Sequence, residues 1–169
     1  MEKNNQVLKN KRIFITGAGS GIGRVVAEKC VRAGARVILA SRTEKDLKAV
    51  IDQLNKIDSI GHTYRVLDVG NQVAVKNYAQ WVKDEYGSLD GMVNCAGIYG
   101  SIGPLHQIDL AEFSETIQIN FLGTVYTCHY FAPLMEKRKA KIVNYSGGGA
   151  SGTFPNYSAY ATSKAATPV

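Results

Sequence analysis

Two residues near the end of the chain, Tyr160 and Lys164, have the types and spacing for acid–base chemistry. Four-residue spacing on a helix puts both side chains on one face. An ammonium beside a phenol favours the phenolate and lowers the phenol's pKa. Such a tyrosine can give and take a proton near neutral pH. In a chain with nine tyrosines a Tyr-x-x-x-Lys pair is weak by itself. Its weight comes from its position, opening the helical pattern that follows the last strand-like run.

The second chemical feature lies near the other end, in Thr16-Gly17-Ala18-Gly19-Ser20-Gly21-Ile22-Gly23. An apolar run precedes it and a helical pattern follows. A helix opening at such a turn presents unpaired backbone N–H groups and a positive dipole end, which suits a pyrophosphate. Glycines permit the tight turn, let phosphate approach the backbone and let the helix pack on the strand. The spacing is T-G-x-x-x-G-x-G. It is neither G-x-G-x-x-G, since Ile22 takes the last glycine's place, nor a P-loop, since no Gly-Lys-Ser/Thr follows.

Further along, Leu39-Ala40-Ser41-Arg42 ends the second apolar run without an acid to hold ribose hydroxyls. Arg42 and Ser41 are placed to pair with a 2′-phosphate, so the expected cofactor is NADP(H) rather than NAD(H). Asp68 and Val69 end the third run, beside an expected adenine. A helix-start role also suits Asp68. Asn94, Ala96 and Gly97 end the fourth, where small residues let backbone approach the ribose. Residues 98–104 form a glycine-rich loop expected to line one wall.

These residues need elements to hold them. Strand-like runs at 12–16, 36–40, 62–67, 90–94 and 141–145 alternate with helical patterns. Those patterns cover 21–33, 44–57, 71–87, 109–120 and 121–137, with a last one starting near 156. Such alternation implies right-handed crossovers and a parallel sheet covered on both faces. The runs are apolar throughout, as strands buried on both sides should be. Ligands of such sheets bind beyond the carboxyl ends of the strands, where every residue above falls.

The 169 residues suit one domain spanning 1–169, and 45% hydrophobic with 20% charged residues fits a globular chain. No apolar run is long enough to span a membrane, and the polar, basic start has no signal-peptide core, so a cytoplasmic protein is expected. Cys30, Cys95 and Cys128 are scattered and odd in number, which fits reduced thiols. With His62, His106 and His129 they show no metal-ligand spacing, and no metal is expected. The net charge of +6 is spread along the chain. Its densest run (Lys137, Arg138, Lys139, Lys141) falls at an expected helix end, where the dipole favours cations. No nucleic-acid partner is therefore expected, and a basic surface draws a phosphate-bearing cofactor.

Taken together, Thr16 to Gly23, Asp68, Asn94-Cys95-Ala96-Gly97, Asn120, Ser146 and Tyr160 with Lys164 resemble the short-chain dehydrogenase/reductase family, in its order along the chain. The resemblance implies a Rossmann-type doubly wound α/β fold, a three-layer α/β/α sandwich with strand order 3-2-1-4-5. It implies hydride transfer between a nicotinamide and a small carbonyl or alcohol substrate. Tyr160 would move the proton, and Lys164 would lower its pKa and hold the nicotinamide ribose. Ser146 would bond the substrate oxygen, and Asn120 would order a relay water. Read from the residues alone, Asn120 is a kink or cap between two helical runs.

Two departures stand out. Ser146 lies fourteen residues before Tyr160, whereas the family serine lies one residue closer, on Gly147 here. Either Gly147-Gly148-Gly149 bends to bring Ser146 into place, which is the expectation, or the hydroxyl is missing. Family members also run roughly half as long again, whereas this chain ends five residues after Lys164, with Pro168 set to interrupt the last helix. The alternative to an NADP(H)-dependent oxidoreductase is therefore a nucleotide-binding fragment without catalysis. The family's homodimers and tetramers use the helices at 121–137 and after the fifth strand, and the second is short here.

Overall fold

The computed structural model describes residues 6–136, 139–152 and 154–167. Lys137 and Arg138 of the basic run, and Pro168, lie outside the described residues.

The strands are β1 (Arg12–Thr16), β2 (Arg36–Ser41), β3 (Thr63–Val66), β4 (Gly91–Asn94) and β5 (Lys141–Asn144). They form one sheet in the order β3-β2-β1-β4-β5, every pair parallel. Helices α1 (Gly21–Arg32), α2 (Glu44–Asn55), α3 (Gln72–Tyr86), α4 (Leu110–Ile117), α5 (Gly123–Phe131) and α6 (Ser158–Ala165) cover its faces. This is the Rossmann-type order implied above.

Side chains alternate across a strand, so a doubly covered sheet needs both sets apolar. The central strands meet this requirement. Phe14, Ile38 and Met92 pack in one core with Val75, Val82 and Phe131 of α3 and α5. Their neighbours Ile13, Ile15, Leu39 and Val93 pack in the other with Val31, Leu47 and Leu54 of α1 and α2. Phe14 stacks on Phe131 with ring centroids 4.2 Å apart. The edge strands depart from the expectation of burial on both sides. Val66 of β3 and Ile142 and Val143 of β5 are exposed. Among the described residues, no helix is long and apolar enough to cross a membrane.

The helical patterns at 109–120 and 121–137 are not two separate helices. The path runs on from α4 through a wide π turn, Gln118–Leu122, into α5, and ends in a 3-10 turn, Ala132–Leu134. Asn120 sits in the π turn, where the ladder carries one extra residue. Such turns often mark functional sites. The Thr124 hydroxyl donates to the Asn120 carbonyl at 2.9 Å and ties up the backbone oxygen that the turn displaces.

Candidate functional site

Strand register builds the site's floor. Thr16, Ala40, Asn94 and Asn144 are successive partners across four strands and form one row near their carboxyl ends. Side chains stitch this row together. The Thr16 hydroxyl accepts from the N–H groups of Cys95 and Ala96, both at 3.2 Å. The Asn94 amide donates to Asn144 Oδ1 at 2.8 Å, and its oxygen accepts from the Thr127 hydroxyl at 3.0 Å. Asn94 is only 4% exposed and does not line the cleft above the row. Its side chain is spent on these bonds. Thr16 acts in the same way.

Above the row opens a cleft of about 490 Å³. Its first wall is the glycine turn, with Gly17, Ser20, Gly21, Ile22 and Gly23 in the lining. Gly17 has φ +64°, and a Cβ there would lie 2.8 Å from Ala96 N and Cα. A Cβ on Gly23 would strike the Gly17 carbonyl oxygen. Gly21, at φ +51°, faces open space. The turn is therefore folded tightly on the exit of β4, with its open side toward the cleft. Ser20, the N-cap of α1, makes no capping bond, and no acid stands in the first turn. The helix's amide end and positive pole are left for an anion. These features fit a dinucleotide pyrophosphate.

Gly19 does not line the cleft. It packs behind, and a Cβ there would lie 2.9 Å from Ser41 Oγ and 3.1 Å from Asp46 Cβ. Ser41, Arg42 and Asp46 form the next wall. Asp46, on α2, was missed from sequence, because its helix rather than its distance from β2 brings it there. Arg42 reaches across to Glu115 of α4 at 3.5 Å, with both side chains about half exposed. So exposed a pair is weak. Asp68 and Val69 line the cleft after β3. Asp68 also accepts from the Gly70 N–H at 2.9 Å, while the N-cap of α3 is Asn71.

The far wall joins the exit of β4, the exit of β5 and α6. Ala96, Gly97, Tyr99, Tyr145, Gly147, Tyr160 and Lys164 line it. Lys164 is 7% exposed, and its ammonium donates to the Tyr145 carbonyl at 2.8 Å. Burial lowers the Lys164 pKa, with the Cys95 sulfur nearby acting against that. Cys95 itself is pushed up to about 12 by burial, so it stands here as a thiol and not a nucleophile.

Three expectations change at this wall. Tyr160 and Lys164 do share it, but the ammonium lies 5.9 Å from the tyrosine ring centre and is held by a carbonyl. Burial, helped by Tyr99, raises the Tyr160 pKa above its ordinary value instead of lowering it. Ser146 does not line the cleft. Gly147, at φ +81°, takes the place facing the phenol, and a Cβ there would lie 2.6 Å from the Tyr160 hydroxyl oxygen. The bend among the glycines presents backbone, not the serine. Asn120 is fully buried behind the wall. Its oxygen accepts from the Ile98 N–H, and its amide donates to the Ile98 carbonyl, each at 2.8 Å, and to Ser163 Oγ at 2.9 Å. Ser163 donates in turn to the Tyr160 carbonyl at 2.8 Å. Asn120 thus ties Ile98, at the start of the 98–104 loop, to Ser163 of α6, a buried link not read from the sequence. Ser163 stands inside the Tyr-x-x-x-Lys spacing, where it could have been found.

Fold and cleft together define a Rossmann-type α/β protein with an open glycine turn at one end of the cleft and a tyrosine–lysine pair at the other. A family model for short chain dehydrogenases matches residues 11–168, and the chain belongs to that family. A 3beta-hydroxysteroid dehydrogenase of Mediterraneibacter gnavus is 33% identical over 154 residues, which cover 91% of this chain and 55% of that protein. An 11-beta-hydroxysteroid dehydrogenase A of Sesamum indicum is 33% identical over 157 residues, covering 92% and 45%. The chain thus spans about half the length of these curated relatives. A short chain dehydrogenase of Shigella flexneri, solved in complex with NADP, superposes with TM-score 0.92 at 30% identity, covering 97% of this chain and 70% of that one.

Proposed function

We propose that this chain carries the cofactor cradle and proton donor of an NADP(H)-dependent oxidoreductase acting on a carbonyl or alcohol. The observation that carries it is one continuous cleft holding the glycine cradle, Arg42 and the Tyr160–Lys164 pair. The NADP complex of the Shigella flexneri relative supports the cofactor choice. When bound, the nicotinamide supplies or takes a hydride at the substrate carbon. Tyr160 gives the carbonyl oxygen its proton in reduction and removes it in oxidation. Lys164 holds the β5 exit through the Tyr145 carbonyl and keeps a positive charge on the wall. Asn120 and Ser163 fix the loop and helix start that present the phenol. The test is calorimetric titration with NADPH, then NADPH oxidation against a panel of ketones and aldehydes. Failure to bind NADPH sinks the proposal.

Gly147 favours a second reading, a nucleotide-binding chain without turnover, because no hydroxyl stands beside the Tyr160 phenol at that position. NADPH binding with no oxidation of any alcohol and no reduction of any carbonyl decides for it.

Arg42 carries the preference for NADP(H). Its pairing with Glu115 is exposed and weak, so a 2′-phosphate can recruit the guanidinium at small cost. Arg42→Asp is expected to lower the NADPH-to-NADH ratio of kcat/KM by about 10- to 100-fold, the worth of one charge-assisted hydrogen bond. Asp46→Asn, which removes a like charge from the same wall, is expected to raise it. An unchanged ratio in Arg42→Asp removes Arg42 from cofactor selection.

The raised Tyr160 pKa sets a pH dependence. Reduction needs the phenol protonated, and a pKa above the ordinary 10.0 keeps it so through neutrality. The kcat/KM for reduction, which reports the free enzyme, is expected to stay level through neutrality and to fall only where the phenol ionises, above its ordinary range. Oxidation, which needs phenolate, rises with pH over the same range. A basic limb for reduction with its midpoint near neutrality contradicts the raised value.

A further inference from the structure

We infer that the Tyr160 end of the cleft takes an apolar, ring-bearing ketone or secondary alcohol in preference to a charged or small acyclic one. The inference rests on the oxidoreductase reading above and assigns its substrate class.

Two segments bring their aromatic rings to the proton donor. Tyr99 lies with its ring centre 4.9 Å from that of Tyr160, and Phe154 lies 6.1 Å from it on the other segment. Tyr157 closes the group, 5.9 Å from Tyr99 and 4.8 Å from Phe154. The Gly103 N–H donates to the Asn156 carbonyl at 2.8 Å, which ties the two segments together. The rings meet at angles between 41° and 71°, the tilted and edge-on arrangements that aromatic pairs favour.

These rings are not used up in a core. Tyr99 is 59% exposed and Phe154 41%. Ile102 and Leu105, on the loop that carries Tyr99, are exposed as well. Tyr99 lines the cleft beside Tyr160, and Phe154 extends the apolar surface around the proton donor, which is what an apolar substrate buries.

Charge points the same way. Among the described cleft residues, Arg42, Asp46 and Asp68 stand at the β2 and β3 end. At the Tyr160 end the charged residue is Lys164, whose ammonium is held by the Tyr145 carbonyl. A substrate carboxylate or phosphate there would be desolvated and would have to compete for an ammonium already bonded to that carbonyl, which is costly. Gly147 removes one more polar side chain from beside the phenol. In reduction the ring ketone's carbon takes a hydride from NADPH, which becomes NADP⁺, and its oxygen takes the Tyr160 proton.

The experiment compares 1-tetralone with pyruvate and hydroxyacetone as substrates of NADPH oxidation, in the unaltered chain and in Tyr99→Ala, Phe154→Ala and Phe154→Leu. The kcat/KM for 1-tetralone is expected to exceed that for pyruvate by about 100-fold or more, the scale of discrimination by a site with unmatched polar groups. The tetralone-to-hydroxyacetone ratio is expected to fall about tenfold in each alanine variant and to recover in Phe154→Leu, which restores apolar bulk. NADPH binding to every variant confirms that each is folded. Equal rates on the three substrates, or an unchanged ratio in both alanine variants, overturn the inference. If no carbonyl is turned over, saturation-transfer NMR on the NADPH-loaded chain separates the two claims. Tetralone bound and pyruvate unbound, with the tetralone signal weakened in Phe154→Ala, keeps the substrate class and removes the catalysis. Tetralone unbound removes the substrate class.

Discussion

Tyr160→Phe is expected to lower carbonyl reduction by roughly 10²- to 10⁴-fold, the usual contribution of one positioned proton donor. The substitution removes a hydroxyl and little else. The phenyl ring keeps its contacts with Tyr99 and Phe154. The Lys164 ammonium keeps its bond to the Tyr145 carbonyl, so no buried charge loses its partner. The Ser163 bond is to the Tyr160 backbone and is untouched. NADPH affinity and thermal stability should therefore change little while kcat falls. Steady-state kinetics beside calorimetry reads both quantities on the same preparations. Rates equal to those of the unaltered chain would falsify the assignment of Tyr160 as proton donor. A parallel loss of NADPH binding would instead place the residue in the cofactor cradle.

Gly17→Ala is expected to cost about 2–5 kcal/mol of stability, from a strained left-handed residue and an overpacked contact together. It should weaken NADPH binding beyond measurement by titration. The contacts explain the size. At φ +64° the new methyl would lie 2.8 Å from Ala96 N and Cα and 2.9 Å from the Cys95 carbonyl carbon. All three are backbone atoms at the end of β4, pinned there by the Thr16 hydroxyl, so no side chain can swing away. Gly21→Ala is the control. Its φ of +51° carries similar strain, but nothing lies within 4 Å of its Cβ position. It is expected to cost only about 1 kcal/mol. Urea unfolding of the two variants separates backbone strain from close approach. Equal losses refute the tight packing of the turn on β4.

The legible part of this protein was local. Strand and helix alternation follows from hydrophobic periodicity within short windows, and it placed every strand to within a few residues of the observed ends. The glycine turn was readable because its demands, positive φ and close approach, fall on neighbouring residues. The rule that ligands bind beyond the strand ends then pointed to Ser41, Arg42, Asp68, Val69, Ala96 and Gly97, all of which line the cleft. The same rule did not foresee that the Asn94 side chain is buried in the sheet. Whether a strand-end side chain turns up into the cleft or down into the sheet depends on partners such as Asn144 and Thr127, which are distant in sequence.

What the order of residues determined by itself was the doubly wound layering and a tight glycine turn at Thr16 to Gly23, because both rest on period and on backbone freedom within a dozen residues. What only the tertiary structure decided was the electrostatic and steric setting of Tyr160. Its raised pKa comes first from burial and then from the electrostatic influence of Tyr99, sixty-one residues away. Its hydroxyl faces Gly147 and not Ser146 because the exit of β5 meets α6 in a register that no count of intervening residues fixes. Arg42 meets Glu115 only because β2 and α4 flank one cleft. Charge, burial and contact are sums over neighbours in space, and a chain's local pattern does not specify those neighbours until the sheet and its two layers of helices have closed on one another.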